Sequence, residues 1–253
     1  RRPAKRDAPA RRLDVEIDSI GARGDGAAHV DGQTIHVPLT APGDIVRIET
    51  QGDRGRIIEL ISAGPHRAPP PCVHFGKCGG CSMQQVSRTF YLRWKQGRVV
   101  EALERAGLDG ADVAETVAIA AATRRRAEFS VARTGDGVRL GFHRRHSREL
   151  EEVEACEILH PDLLARLGDI KALAAAIPTR AFDLLVTACD NGLDIDIRRA
   201  SFDDFGASDI AKLSKAAQLA RCVRLSASGE ALLSFAPPVV TVDDIPVAIP
   251  PGA

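Results

Sequence analysis

Three cysteines lie within ten residues in the segment PCVHFGKCGGC, and this cluster constrains the fold more than any other feature of the chain. Their spacing is Cys72-x5-Cys78-x2-Cys81, with three glycines interleaved. Three thiolates converge on one centre only if the backbone turns tightly, and glycine adopts the dihedral angles that such a turn needs. Six cysteines in 253 residues are too few for a disulfide scaffold, so the cluster predicts a metal site.

A metal site of this kind needs a fourth ligand, and three cysteines remain as candidates. Cys156 lies in the segment VEACEIL, whereas Cys189 and Cys222 lie in apolar runs that predict strands. A small thiol in such a run most often packs in the core. Cys156 is therefore the predicted fourth ligand.

Four thiolates suit either tetrahedral zinc or a cubane of iron and sulfide, and their spacing alone does not decide between the two. A zinc site usually has two CxxC-like pairs, or would recruit His74. This chain has one such pair and one distant cysteine, which favours the iron-sulfur cluster. The remaining alternative is that these cysteines bind nothing, but three cysteines in a glycine-rich loop have little packing value.

The pattern along the chain predicts an α+β, multidomain fold behind a basic tail. Residues 1–12 are rich in Arg, Pro and Ala and predict a disordered tail. Residues 13–63 alternate short apolar runs with Gly, Asp and Pro turns, which predicts a small OB-like β-barrel. Residues 64–110 contain the cysteine loop and a helix. Residues 111–253 mix strand and helix patterns and predict a central α/β domain.

The predicted helix spans residues 82–107. Its apolar residues recur mostly at three- and four-residue steps, which places them on one face; they are Met83, Val86, Phe90, Trp94, Val100 and Leu103. Gly107 is placed to end the helix.

Charge is segregated along a chain whose formal net charge is zero. Residues 61–100 contain six Lys/Arg and no Asp/Glu. Residues 151–253 contain nine Lys/Arg and sixteen Asp/Glu. A locally basic surface is expected for a nucleic-acid partner, and an ordinary solvated surface is the alternative. No stretch approaches the roughly 20 uncharged apolar residues of a membrane helix, and no signal peptide is evident. The predicted location is therefore the cytoplasm, without a membrane partner.

With these motifs in this order, the chain resembles the RNA (uracil-5-)-methyltransferase family. These S-adenosylmethionine-dependent enzymes make 5-methyluridine in ribosomal and transfer RNA. The resemblance covers nearly the whole chain and rests on a TRAM-like barrel at 13–63 and on the segments PCVHFGKCGGCSMQQ, YLRWK, RRRAEFSV, GVRLGFHRR and VEACEILHP. It implies a [4Fe-4S] cluster on Cys72, Cys78, Cys81 and Cys156.

The resemblance also implies that the barrel and the central domain bind structured RNA, either rRNA or tRNA. Arginine matches phosphate through its forked donors, and an exposed aromatic ring stacks on an unpaired base. The candidate residues are Arg23, Arg124, Arg125, Arg126, Phe142, Arg144 and Arg145. The alternatives are a core position for Phe142 and a solubilising role for any single arginine.

The catalytic parts of this family are not found in the sequence. Methylation at uracil C5 needs a cysteine nucleophile, a base and a glycine-rich cofactor turn. We therefore expect a Rossmann-like methyltransferase domain to be absent from this chain, and S-adenosylmethionine to bind only the full-length protein. The missing domain is expected to follow Ala253 and to pack on the helix at 82–107, and the chain alone to be inactive.

Two other functions remain open from the sequence. One is a stand-alone RNA-binding adaptor with a structural metal site. The other is an electron-transfer protein, although carriers usually keep their ligands in one compact run, so the remote Cys156 favours a structural cluster.

Overall fold

The computed structural model describes residues 10–200 and 206–251, and the chain divides into two compact units. Unit 1 comprises Arg1–Gly76 and Cys81–Ala118, and unit 2 comprises Lys77–Gly80 and Ile119–Ala253. This division differs from the predicted one, because the first sheet and the helix that follows it share one unit.

Unit 1 contains a six-stranded sheet in the order β1-β5-β6-β4-β3-β2. Its strands are β1 (Arg11–Glu16), β2 (Ser19–Ile20), β3 (Gly26–Val30), β4 (Gln33–Val37), β5 (Ile45–Gln51) and β6 (Arg54–Ser62). Alternate apolar residues of these strands form a core, which includes Val15, Val37 and Ile48. The prediction that residues 1–12 are disordered is wrong for Arg11 and Arg12, because both pair with β5. Residues 1–9 lie outside the described part of the chain. The likeness to a TRAM domain stays a prediction.

The helix of unit 1, α1, spans Arg88–Arg105 and begins six residues later than predicted. Ser87 caps it, because its hydroxyl accepts a hydrogen bond from a backbone N–H of the first turn. The preceding residues are held by the sheet unit instead: the buried Gln85 side chain donates to the Thr40 carbonyl at 2.9 Å. The predicted end is confirmed, since Gly107 follows the helix with a φ of 78°.

Unit 2 is built on a seven-stranded sheet in the order β13-β12-β11-β10-β7-β8-β9. Its strands are β7 (Arg126–Thr134), β8 (Gly137–His143), β9 (Leu150–Glu152), β10 (Ala181–Cys189), β11 (Gly192–Arg198), β12 (Cys222–Ala227) and β13 (Glu230–Ser234). The helices are α2 (Pro161–Leu164), α3 (Leu167–Ala176) and α4 (Ala207–Leu219). Buried residues of the helices and the sheet share one core, which includes Phe129, Leu173 and Leu213. No helix in the described ranges is long and apolar enough to span a membrane.

A separate hairpin, β14 (Val239–Val242) and β15 (Ile245–Ala248), follows the sheet of unit 2. A buried ion pair anchors the residues after it. Arg224 donates to both carboxylate oxygens of Asp194 at 2.8 and 2.7 Å, and to the backbone carbonyls of Ile249 and Pro250 at 3.0 and 2.9 Å. One guanidinium thus joins β11, β12 and the chain beyond β15.

Candidate metal-binding and RNA-binding residues

The cysteine loop contributes the short segment Lys77–Gly80 to unit 2. Cys78 forms an isolated antiparallel bridge with Arg144, just after β8. The Gly79 N–H donates to the His143 carbonyl at 2.9 Å. Backbone hydrogen bonds therefore hold Cys78 at the end of β8.

Gly79 is required at this contact for a steric reason. A Cβ atom there would lie 2.7 Å from the His143 carbonyl oxygen, closer than real Cβ atoms approach. A Cβ on the adjacent Gly80 would meet only the Cys78 Sγ, at 3.5 Å, an ordinary contact. These two glycines therefore form a matched pair for testing the loop.

We expect Gly79→Ala to displace the loop from β8 and to speed hydrogen exchange of the residue-79 amide, since its hydrogen bond to His143 is broken. Hydrogen-exchange mass spectrometry of the peptide around Cys78 measures this effect. Gly80→Ala is the control and should exchange at the wild-type rate. Equal protection of both variants would show that the close approach to His143 does not hold the loop.

Cys72 and Cys81 belong to unit 1 and are half-buried. The Cys72 N–H donates to the Gln84 side-chain oxygen at 3.3 Å, and the Cys72 carbonyl accepts from the Phe75 N–H at 3.1 Å. Gly76 follows with a φ of 88°, in the left-handed region. The predicted tight turn is thus present between the first and second cysteines of the motif.

Cys156 belongs to unit 2, where it is half-buried and packs against the main core. The chain that follows it is fixed by backbone hydrogen bonds. The N–H groups of Ala122 and Arg124 donate to the carbonyls of Glu157 and Ile158, each at 2.9 Å. Cys156 therefore lies beside the segment that carries the predicted Arg124–Arg126 run.

The two other cysteines lie in a different environment. Cys189 and Cys222 are each 4% exposed. Burial raises the pKa of the Cys189 thiol to about 11 and that of the Cys222 thiol to about 12. Because a metal ligand must be a thiolate, this burial disfavours both as ligands.

The chemistry of the donor set, four thiols outside the buried strands, fits an iron-sulfur cluster. None of the six cysteines takes part in a disulfide, and the four predicted ligands are all half-buried. Across residues 10–200 and 206–251, however, no three Cys, His, Asp or Glu side chains are arranged to hold a metal ion. Two of the predicted ligands belong to each unit, and the cluster stays a prediction.

The predicted RNA-binding residues differ in how available their charges are. Arg23 is exposed on the turn between β2 and β3, and Arg124 and Arg126 are exposed beside β7. None of the three forms an ion pair with another residue that the structure describes. Their guanidinium groups are therefore available to an anionic ligand.

The other candidates are engaged within unit 2. Arg125 pairs with Asp190 at 3.0 Å, and Arg144 pairs with Glu149 at 3.0 Å and Glu151 at 3.1 Å. Arg145 is half-buried. The Phe142 ring stacks on the buried Phe129, with centroids 5.2 Å apart, which gives it a packing role. These contacts reduce their value as RNA ligands.

Several known proteins align with this chain over most of its length. A protein of Brucella suis biovar 1 named an uncharacterized RNA methyltransferase is 35% identical over 248 residues, which cover 94% of this chain and 57% of that protein. An uncharacterized RNA methyltransferase of Caulobacter vibrioides is 36% identical, with 95% and 60% covered. The chain is homologous to proteins named RNA methyltransferases. No family model matches it.

A more distant relative has a specific name. The 23S rRNA (uracil(1939)-C(5))-methyltransferase of Halomonas elongata is 31% identical over 198 residues, which cover 74% of this chain and 41% of that protein. The chain thus spans less than two thirds of the length of these RNA methyltransferases.

Sequence reasoning missed the acidic partners of two arginines. Glu149 and Glu151 follow Arg144 closely in the sequence, so the local run RRHSRELEE contains a signal for that pairing. Asp190 is 65 residues from Arg125, and only the pairing of β10 with β7 brings them together. In this RNA methyltransferase homologue, the register of the sheet therefore determines whether Arg125 is paired with an acidic residue or available to bind RNA.

Proposed function

We propose that the chain is the RNA-binding part of an S-adenosylmethionine-dependent RNA (uracil-5-)-methyltransferase that acts on rRNA or tRNA in the cytoplasm. The main support is the homology to RNA methyltransferases across 94% of the chain. The uracil-5 assignment is supported by the motifs of the sequence and by the name of the Halomonas elongata relative. In this proposal the methyltransferase domain belongs to the full-length protein, so the chain alone neither binds S-adenosylmethionine nor methylates RNA.

We propose that Cys72, Cys78, Cys81 and Cys156 hold a [4Fe-4S] cluster. The support is the half-burial of these four cysteines, the tight turn at Gly76 and the close approach of Gly79 to His143. When bound, the cluster supplies a structural cross-link between segments far apart in the sequence, and its binding free energy adds to folding.

The helix α1 is the proposed contact for the methyltransferase domain of the full-length protein. It contains no buried residue, and Val99 is 50% exposed on it. A helix without a buried residue leaves surface for that domain.

The RNA-binding role makes a prediction about Arg124 and Arg126. Changing both to Gln should weaken binding of folded RNA and lower the slope of log affinity against log salt by about two units, about one for each phosphate that the variant no longer binds. Fluorescence anisotropy with a labelled rRNA hairpin between about 50 and 200 mM salt measures both quantities.

Arg144→Gln is the matched control for this double variant. Because Glu149 and Glu151 already neutralise Arg144, its replacement should leave the salt slope nearly unchanged. If the double variant bound RNA as the wild type does, while Arg144→Gln bound weakly, then Arg144 would bind RNA and Arg124 and Arg126 would not. If the wild-type chain bound no folded RNA, the proposed function itself would fail.

A further inference from the structure

The only tryptophan and the only tyrosine of the chain lie together on α1. The rings of Tyr91 and Trp94 have centroids 6.4 Å apart and an interplanar angle of 24°. The Lys95 ammonium lies 5.5 Å from the Tyr91 centroid and 5.8 Å from the Trp94 centroid. One cation therefore contacts two nearly parallel aromatic rings.

Basic residues continue this group along the helix. Arg88, Tyr91, Lys95 and Arg98 are spaced by three, four and three residues, which places them on one side of α1. Arg88 and Lys95 are exposed, and both aromatic residues are half-buried. We call Arg88, Tyr91, Trp94, Lys95 and Arg98 the aromatic-basic face.

Other sides of α1 are covered by unit 1 itself. The Thr116 hydroxyl donates to the Leu92 carbonyl at 2.9 Å, and the Gln96 side chain donates to the Val113 carbonyl at 2.8 Å. The segment from 113 to 116 thus lies against Leu92 and Gln96 of the helix. The aromatic-basic face is not the side on which this segment packs.

A hydrogen bond holds the Trp94 ring, and the same bond anchors the turn that carries Arg23 beside it. The Trp94 indole N–H donates to the Ile20 carbonyl at 3.2 Å, where that turn begins. At its end, a Cβ atom on Gly24 would lie 3.0 Å from the Met83 sulfur, so the two residues are in close contact. The exposed Arg23 therefore projects from a turn held at both ends by α1 and the segment before it.

Charge indicates the kind of partner. No acidic residue occurs between residues 61 and 100, and the first on α1, Glu101, pairs with Arg98. A cation in the first turn opposes the helix dipole, so helix stability does not account for Arg88. Exposed cations around a fixed aromatic pair are the features by which proteins bind single-stranded nucleic acid.

We propose that the aromatic-basic face binds an unpaired stretch of RNA, with a base stacked on the Tyr91 and Trp94 rings and the flanking phosphates bound by Arg88, Lys95 and Arg23. The proposal rests on the proposed function and names an RNA contact within it. It adds a single-strand site to the phosphate-binding residues Arg124 and Arg126.

Trp94 reports on this site without a label, because it is the only tryptophan. Titrating the purified chain with a uridine-rich, single-stranded oligoribonucleotide should quench its fluorescence saturably. Tyr91→Ala should weaken binding at least about fivefold, the lower limit for removal of one base stack, and Tyr91→Phe should bind as the wild type does. Lys95→Gln should lower the salt slope by about 0.7.

The outcomes separate this inference from the proposed function. If the chain binds folded RNA but Trp94 emission is unchanged and Tyr91→Ala binds normally, the face does not bind RNA and the inference is overturned. If the chain binds neither folded nor single-stranded RNA, the proposed function fails and the inference fails with it. Circular dichroism of Tyr91→Ala checks that this variant folds. If it does not fold, the salt slope of Lys95→Gln decides instead, and an unchanged slope overturns the inference.

Discussion

Replacing Cys156 with serine is expected to abolish the visible iron-sulfur absorbance of the chain. In the proposed site this change removes the one thiolate outside the cysteine loop, and a serine hydroxyl is a poor replacement for a thiolate on iron. The measurement is the absorbance spectrum, with iron and acid-labile sulfide per chain, after anaerobic purification. We expect near-complete loss of all three signals in the variant.

Cys189→Ser is the control for that experiment. This thiol is buried and its pKa is raised to about 11, so the variant should keep the cluster even if its stability falls. Full iron and sulfide in Cys156→Ser, with loss in Cys189→Ser, would refute the ligand assignment. Stoichiometric zinc without iron in the wild-type chain would refute the cluster.

Replacing Asp194 with alanine is expected to destabilise the chain by about 3–5 kcal/mol, the range for breaking a buried ion pair. The Arg224 and Asp194 side chains are 8% and 5% exposed, so the variant leaves a guanidinium buried without its carboxylate. It also loosens the anchor on Ile249 and Pro250. Urea denaturation followed by circular dichroism gives the free energy of unfolding.

Two further variants make this stability prediction specific. Asp194→Leu combined with Arg224→Met should recover most of the stability, because apolar side chains of similar size replace buried pairs well. Lys171→Ala removes an exposed pair with Glu152 and should cost less than about 1 kcal/mol. If Asp194→Ala cost no more than Lys171→Ala, the buried pair would not support unit 2.

Glycines in the sequence predicted the tight turn of the cysteine motif and the end of α1. In the structure, Gly76 and Gly107 have positive φ at these two places. Local sequence signals did not predict where α1 begins. Met83 and Val86 continue the apolar spacing of the helix, but Ser87 caps it and Gln85 is held by Thr40. That hydrogen bond spans 45 residues, so helical periodicity alone does not reveal it.

The candidate site shows the same limit. The cysteines and arginines were identified from their residue types and motifs, but the Arg125–Asp190 pair depends on how β7 and β10 align. The Tyr91–Trp94–Lys95 group spans little more than one helical turn, and its spacing was present in YLRWK. The spacing does not reveal that Trp94 is hydrogen-bonded to Ile20, which lies 74 residues away.

Quantifying the methylated nucleosides of rRNA and tRNA tests the proposed function most directly. Mass spectrometry should compare wild-type cells with cells in which the reading frame encoding this chain is disrupted. We predict that 5-methyluridine is lost at one or more defined positions and is restored by the intact gene. If every methylated nucleoside of both RNA classes were retained at wild-type levels, the proposal that this chain is part of an RNA methyltransferase would be contradicted.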